Sequence, residues 1–145
     1  MIAVKIINKS NNELPKYETE GSAGMDIRAF LKEEIVIRPF ERVMVPTGLY
    51  LEIPLGYEVQ LRPRSGLAIK FGITLPNAPA TIDSDYRGEI MVALINLSKE
   101  DFTIKGGDRM AQMIVAKHEK VLWELSDELQ DSARGVKGLG STGIL

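Results

Sequence analysis

Apolar residues in this chain fall into short runs at 34–38, 42–53, 56–61, 89–97, 102–105, 110–118 and 121–125, with Gly, Pro and Asp punctuating the gaps. Many of these positions are β-branched, and Tyr57-Glu58-Val59-Gln60-Leu61 alternates strictly. That is the period at which one face of a strand is buried and the other stays wet. Strands at this spacing, separated by turn residues, predict an all-β sandwich or barrel. No window holds a long amphipathic helix; 65–71 and 126–132 each leave room for one or two turns. With neither an internal repeat nor a linker, the pattern gives one folded domain.

Composition narrows the partner. The chain has 145 residues, 44% of them hydrophobic, enough to build a core. A formal charge of −2 gives no global basic field, which argues against a nucleic-acid binder and leaves anion recognition to local arginines or a metal. A small anionic ligand is the natural partner. The absence of cysteine removes disulfides and thiolate zinc sites, and the single histidine, His118, reads as an exposed strand residue. The opening run Met1-Ile2-Ala3-Val4-Lys5-Ile6-Ile7 is too short for a signal peptide, and no later stretch approaches a membrane span, so the expected location is the cytoplasm, away from membranes. Asn96-Leu97-Ser98 fits the glycosylation sequon, which reads as chance without a secretory signal.

Five polar clusters sit among the apolar runs. Ala23-Gly24-Met25-Asp26 is a small-residue turn presenting one carboxylate. In Pro63-Arg64-Ser65-Gly66-Leu67-Ala68 a strand ends and a short helix begins; a hydroxyl and an arginine there suit a phosphate, although Ser65 reads almost as well as a simple N-cap. The stretch from Asn77 to Glu89 carries Asp83, Asp85, Tyr86 and Arg87. On a continuous strand Asp83 and Asp85 would share a face and Tyr86 would take the other, unless the chain turns. Paired carboxylates in a turn are usually a solvated cap, but one held beside a phosphate can orient and deprotonate a water. Gly107-Asp108-Arg109-Met110-Ala111-Gln112 is a turn entering a strand, which alone reads as a hairpin with a surface ion pair.

The fifth cluster, Arg134-Gly135-Val136-Lys137-Gly138-Leu139-Gly140-Ser141-Thr142-Gly143, combines glycine, hydroxyls and positive charge. It reads either as a flexible anion-gripping arm or as a plain disordered terminus. Its GxGxxG match is followed only by Ile144 and Leu145, so no helix follows to receive a pyrophosphate as in a dinucleotide fold.

In order and spacing these five clusters resemble the five motifs of the homotrimeric dUTP diphosphatase (dUTPase) family, across essentially the whole chain. The resemblance implies Mg²⁺-dependent hydrolysis of dUTP to dUMP and pyrophosphate, which keeps uracil out of DNA and supplies dUMP for thymidylate synthesis. It implies a jelly-roll-like β-barrel subunit over 1–132 and a flexible C-terminal phosphate-binding arm over 133–145, in a homotrimer with active sites shared between subunits. Asp83 matches the catalytic carboxylate that activates the water attacking the α-phosphorus. Tyr86 matches the aromatic under the deoxyribose, where a ribose 2′-hydroxyl would collide, and Asn77 the hairpin residue that helps read uracil. Arg64, Ser65 and Gly66 resemble the phosphate-contacting second motif, Gln112 the amide near the α-phosphate, and Asp26 the carboxylate that reaches Mg²⁺ through water. Arg134, Ser141 and Thr142 resemble the arm residues that close over the γ-phosphate.

Three positions depart from the family's usual pattern. Leu139 stands where an aromatic commonly stacks on uracil, Lys137 where the arm usually has glycine, and Ala80 where glycine is usual. Leucine still covers the base with apolar contact but loses a stacking contribution of about 1–3 kcal/mol. A dCTP deaminase, or its bifunctional form, shares the fold and the trimer, but its second motif usually reads Arg-Ser-Ser, whereas Gly66 follows Ser65 here. A noncatalytic nucleotide-sensing module would be expected to lack Asp83 or the arm, and both are present.

Overall fold

The computed structural model describes residues 1–138. Two four-stranded antiparallel sheets form the body. The first contains β1 (Lys5–Asn8), β4 (Arg42–Glu52), β8 (Glu89–Asn96) and β6 (Ile73–Thr74), paired in that order. The second runs β2 (Met25–Arg28), β10 (Arg109–Lys117), β5 (Tyr57–Arg62), β7 (Ala80–Ile82). A ribbon of β3 (Ile35–Ile37) and β9 (Phe102–Ile104) completes the all-β, jelly-roll-like subunit expected from the pattern. No helix among the described residues is long and apolar enough to cross a membrane.

Strand alternation builds the core. Along β8 the even positions Ile90, Val92, Leu94 and Asn96 are buried while Glu89, Met91, Ala93 and Ile95 stay partly exposed. The inward set meets Ile27, Val45, Val59, Leu61 and Met110, each at most 1% exposed. Each such aliphatic side chain contributes about 1.5–3 kcal/mol relative to an exposed one. Asn96 is the polar exception: its Nδ2 donates to the carbonyls of Ile37 (2.8 Å) and Glu100 (2.7 Å), and its Oδ1 accepts the Ser98 amide (2.9 Å). The sequon asparagine therefore ties the β3–β9 ribbon to the end of β8, with no exposed amide to carry a glycan.

The helix expected over 65–71 is present as α1 (Ser65–Phe71). Its N-cap is Arg64, in extended conformation and without a side-chain cap bond, so the reading of Ser65 as an N-cap is corrected: Ser65 is the first helical residue. Gly72 ends the helix at φ 67°, a left-handed conformation that glycine adopts without a Cβ clash. Seven residues are too few to hold a helix alone, and α1 leans on the barrel through Leu67 and through Phe71, whose ring centroid is 5.5 Å from that of Phe102.

Other expectations need correction too. The run 121–125 is not a strand: Leu122, Trp123 and Leu125 are 86–100% exposed, and among the described residues no strand edge runs beside them. An apolar sequence becomes a strand only where a neighbour completes its hydrogen bonds. The 126–132 segment forms no helical turn. His118 sits one residue past β10, half-buried. Ala23-Gly24-Met25-Asp26 is not simply a turn, because Met25 and Asp26 already belong to β2. Ala80, by contrast, is a departure from the family pattern that the fold accommodates: it lies in β7 without a positive φ, so alanine there carries no left-handed strain.

Candidate active site

Side chains from three neighbouring strands meet where β2, β10 and β5 lie side by side. Asp26 on β2 faces Gln112 on β10, which in turn faces Arg62 at the end of β5. Arg64, two residues further on, donates from Nε to Asp26 Oδ1 at 2.9 Å and from Nη1 to the Arg109 carbonyl at 3.2 Å. Arg109 approaches the other oxygen, its Nη1 lying 3.4 Å from Asp26 Oδ2. Gln112 Nε2 donates to the Pro63 carbonyl at 3.4 Å. Gly24 leaves room for that amide, since a Cβ there would come within 3.0 Å of Gln112 Oε1. Ser65 and Gly66 are exposed beside this cluster, at the start of α1.

The carboxylate is well sheltered, with 18% of the Asp26 side chain exposed, against 27% for Arg64 and 45% for Arg109. Two guanidinium groups on one carboxylate leave the cluster with a net positive charge, suited to an anion. A metal cage made of protein ligands is not available: among the described residues there is no group of three or more Asp, Glu, His or Cys placed to hold an ion. The donor set does fit a hydrated Mg²⁺, which keeps several waters and is carried largely by phosphate oxygens. Asp26 Oδ2, held only by the long contact to Arg109, retains the capacity to accept a hydrogen bond from such a water.

Sequence reasoning passed over Arg109, treating it as half of a surface ion pair. The signal was a conflict of parity. Ala111 and Met113 point into the core, so in an uninterrupted strand Arg109 would point there as well. A register shift between Arg109 and Ala111 resolves the conflict: Arg109 faces Arg28, Ala111 faces Ile27, and Met110 is the additional residue. Met110 and Ala111 are both buried, and Arg109 emerges on the face of Gln112 and Asp26. Re-aiming a side chain in this way is a common use of a β-bulge next to a functional site.

The third cluster lies elsewhere. β7 forms the opposite edge of the sheet from β2, three strand spacings away, or about 14 Å along the sheet. The chain does turn after Ile82: the Tyr86 amide donates to the Asp83 carbonyl at 3.2 Å, so Asp83 and Tyr86 flank a turn. Asp83 and Asn77 are exposed, and the Ala78–Pro79 peptide between Asn77 and β7 is cis. Tyr86 is 43% exposed and its hydroxyl donates to the Glu89 carbonyl at 3.0 Å. Among the described residues no hydrogen bond or ion pair joins Asn77, Asp83 or Tyr86 to Asp26, Arg64 or Gln112. Arg134 is also apart, donating to the carbonyls of Lys137 (3.0 Å) and Gly138 (3.4 Å). Leu139, Ser141 and Thr142 lie outside the described residues.

Comparison with known proteins covers nearly the whole chain. Residues 10–143 match the family model described as dUTPase. The chain is 56% identical to a deoxyuridine 5'-triphosphate nucleotidohydrolase of Finegoldia magna, over 97% of this chain and 98% of that one. It is equally similar, at 56%, to the protein of the same name from Cytophaga hutchinsonii, over 97% and 92% of the two chains. In fold it is similar to a variant dUTPase of Staphylococcus bacteriophage 80alpha, solved with dUpNHpp, at a TM-score of 0.88 and 22% identity over 99% of this chain and 100% of that one. A variant dUTPase from phage phi11 of S. aureus, described for its coordination of a structural Mg(II) ion, matches at a TM-score of 0.80 and 20% identity over 90% and 100%.

Proposed function

The chain belongs to the dUTPase family, and we propose that it hydrolyses dUTP to dUMP and pyrophosphate by attack of water on the α-phosphorus, at sites shared between the subunits of a homotrimer. The observation that carries this reading is the convergence of Asp26, Arg64 and Gln112, from three separate motifs, on one cationic cluster at the sheet end.

In this reading each residue takes the role that the matching family motif implies. Arg64, with Ser65 and Gly66 beside it, binds the phosphate chain, and Gln112 presents its amide to the α-phosphate. Asp83, exposed at its turn, takes the proton of the attacking water, which requires that it meet the phosphates from another subunit. Tyr86 lies under the deoxyribose and Asn77 reads uracil from the same hairpin. Arg134, Ser141 and Thr142 close over the γ-phosphate, with Leu139 covering the base. When bound, Mg²⁺ neutralises charge on the triphosphate, with Asp26 holding one of its waters. No protein nucleophile is needed, because Ser65 has no histidine partner and the chain has no cysteine. A cytoplasmic site of action is part of this reading.

Three features support assembly. The two halves of the site stand apart in one chain. The outward face of the β1–β4–β8–β6 sheet carries an apolar stretch of Met44, Pro46, Met91, Ala93 and Ile95, bordered by the charged residues Arg42, Glu89, Lys5 and Glu52. An apolar groove of about 530 Å³, lined by Ile6, Met25, Tyr57 and Val115 among others, opens between the edges of the two sheets, while Leu122, Trp123 and Leu125 lie uncovered. Patches of this kind mark interfaces. Incubating the protein with dUTP, dCTP and UTP plus Mg²⁺ and separating the products tests the activity. Release of dUMP and pyrophosphate from dUTP is expected, whereas conversion of dCTP to a uracil nucleotide would point to a deaminase.

A further inference from the structure

We propose that Arg109 is a positioning residue for Asp26, holding the carboxylate's second oxygen so that Asp26 keeps its aim when Arg64 leaves it for the substrate's phosphates. The inference rests on the dUTPase reading.

Two guanidinium groups reach Asp26 through different oxygens, Arg64 to Oδ1 at 2.9 Å and Arg109 to Oδ2 at 3.4 Å. Their circumstances differ. Arg64 stands at the head of α1, next to Ser65 and Gly66, where a phosphate chain would lie. A triphosphate carries three or four negative charges against one on Asp26, so it outcompetes the carboxylate for this guanidinium. Asp26 would then be left sheltered and unpaired, a costly state, unless a second cation stays with it. Arg109 is that cation. Its side chain makes no other hydrogen bond among the described residues, and the bulge at Met110 turns it onto the Asp26 face. With Oδ1 released and Oδ2 held only by the long contact to Arg109, the carboxylate keeps its aim and has lone pairs on both oxygens to accept a metal-bound water. Partners that orient a metal's direct ligands typically matter about 10–100-fold in metal affinity, and a carboxylate acting through water sets the expectation at the low end.

The test is a double-mutant cycle with Arg109→Gln and Asp26→Asn, read as the Mg²⁺ concentration that half-saturates binding of dUpNHpp, a substrate analogue, with binding in EDTA as the reference. Each single variant should raise that midpoint roughly tenfold, while binding in EDTA changes little. The double variant should be no worse than either single one, because Arg109 acts only through Asp26. Arg109→Lys should recover part of the loss, and thermal melting should stay near wild type. Multiplying losses in the double variant, or an equal loss in EDTA, would overturn the inference by making Arg109 a direct phosphate ligand or a general support. Should Arg109→Gln fail to fold, Arg109→Lys against Asp26→Asn closes the same cycle. If the wild-type protein binds dUpNHpp without any response to Mg²⁺, the dUTPase reading falls and this inference with it.

Discussion

The phenol of Tyr86 lies across Gly88, so closely that a Cβ on Gly88 would overlap the Tyr86 hydroxyl. The hydroxyl is anchored on the Glu89 carbonyl at 3.0 Å, which fixes the plane of the ring. If that plane is what excludes a ribose 2′-hydroxyl, a methyl group at Gly88 must displace it. Gly88→Ala is expected to narrow the dUTP/UTP ratio of kcat/KM by about tenfold, in the direction of Tyr86→Ala, the range in which a single steric contact discriminates. Steady-state kinetics on both nucleotides checks this; an unchanged ratio in both variants would put the sugar filter elsewhere.

Asp83 is exposed and unpaired among the described residues, so replacing it should not disturb the fold. Asp83→Asn keeps the shape and some hydrogen bonding but cannot accept the proton of the attacking water. Turnover is expected to fall by ~10²–10⁴-fold with nucleotide affinity retained. Single-turnover kinetics with a parallel binding titration separates the two effects, and near-normal turnover would remove Asp83 from its role.

Sharing of active sites has a mixing test. Asp83→Asn subunits and subunits truncated after residue 132 should each be nearly inactive, yet recover part of the activity once subunits exchange. Wild-type protein should sediment as a trimer. A fully active monomer would contradict the shared site.

Removing residues 133–145 should leave thermal melting close to wild type, because among the described residues the last strand ends at Lys117 and those beyond 132 are exposed. The expected loss is in kcat/KM for dUTP, since Arg134, Ser141 and Thr142 depart together and lid closure with them. In the full chain, Leu139→Phe should tighten substrate binding by about tenfold or somewhat less, the low end of a base-stacking contribution. Wild-type kinetics from the truncated protein would reduce the arm to an ordinary terminus.

Much of the barrel was legible because its longer strands carry their own period. The 89–97 and 110–118 runs became β8 and β10 almost to the residue, since alternate side chains had only one core to face. The strands β1, β2 and β7 were not legible, being three or four residues long and defined by partners distant in sequence, as Lys5 is by Glu52. The 121–125 run shows the opposite error, a strand composition with no edge beside it in its own chain. In the site, the family resemblance singled out Asp26, Arg64 and Gln112, but their meeting depends on the register of β2, β10 and β5. Arg109 was missed because a bulge cancels the alternation on which the sequence pattern relies.

The environment of Asn96 bears on how this protein ages. Its amide is the donor facing two main-chain carbonyls, those of Ile37 and Glu100. Spontaneous deamidation would replace the donor with a carboxylate, setting negative charge against two carbonyl acceptors at a fully buried side chain. The fold shields this side chain as long as it stays closed, so the damage requires local opening and then opposes reclosure. Chemical wear at this one amide would thus loosen the tie between the β3–β9 ribbon and the end of β8.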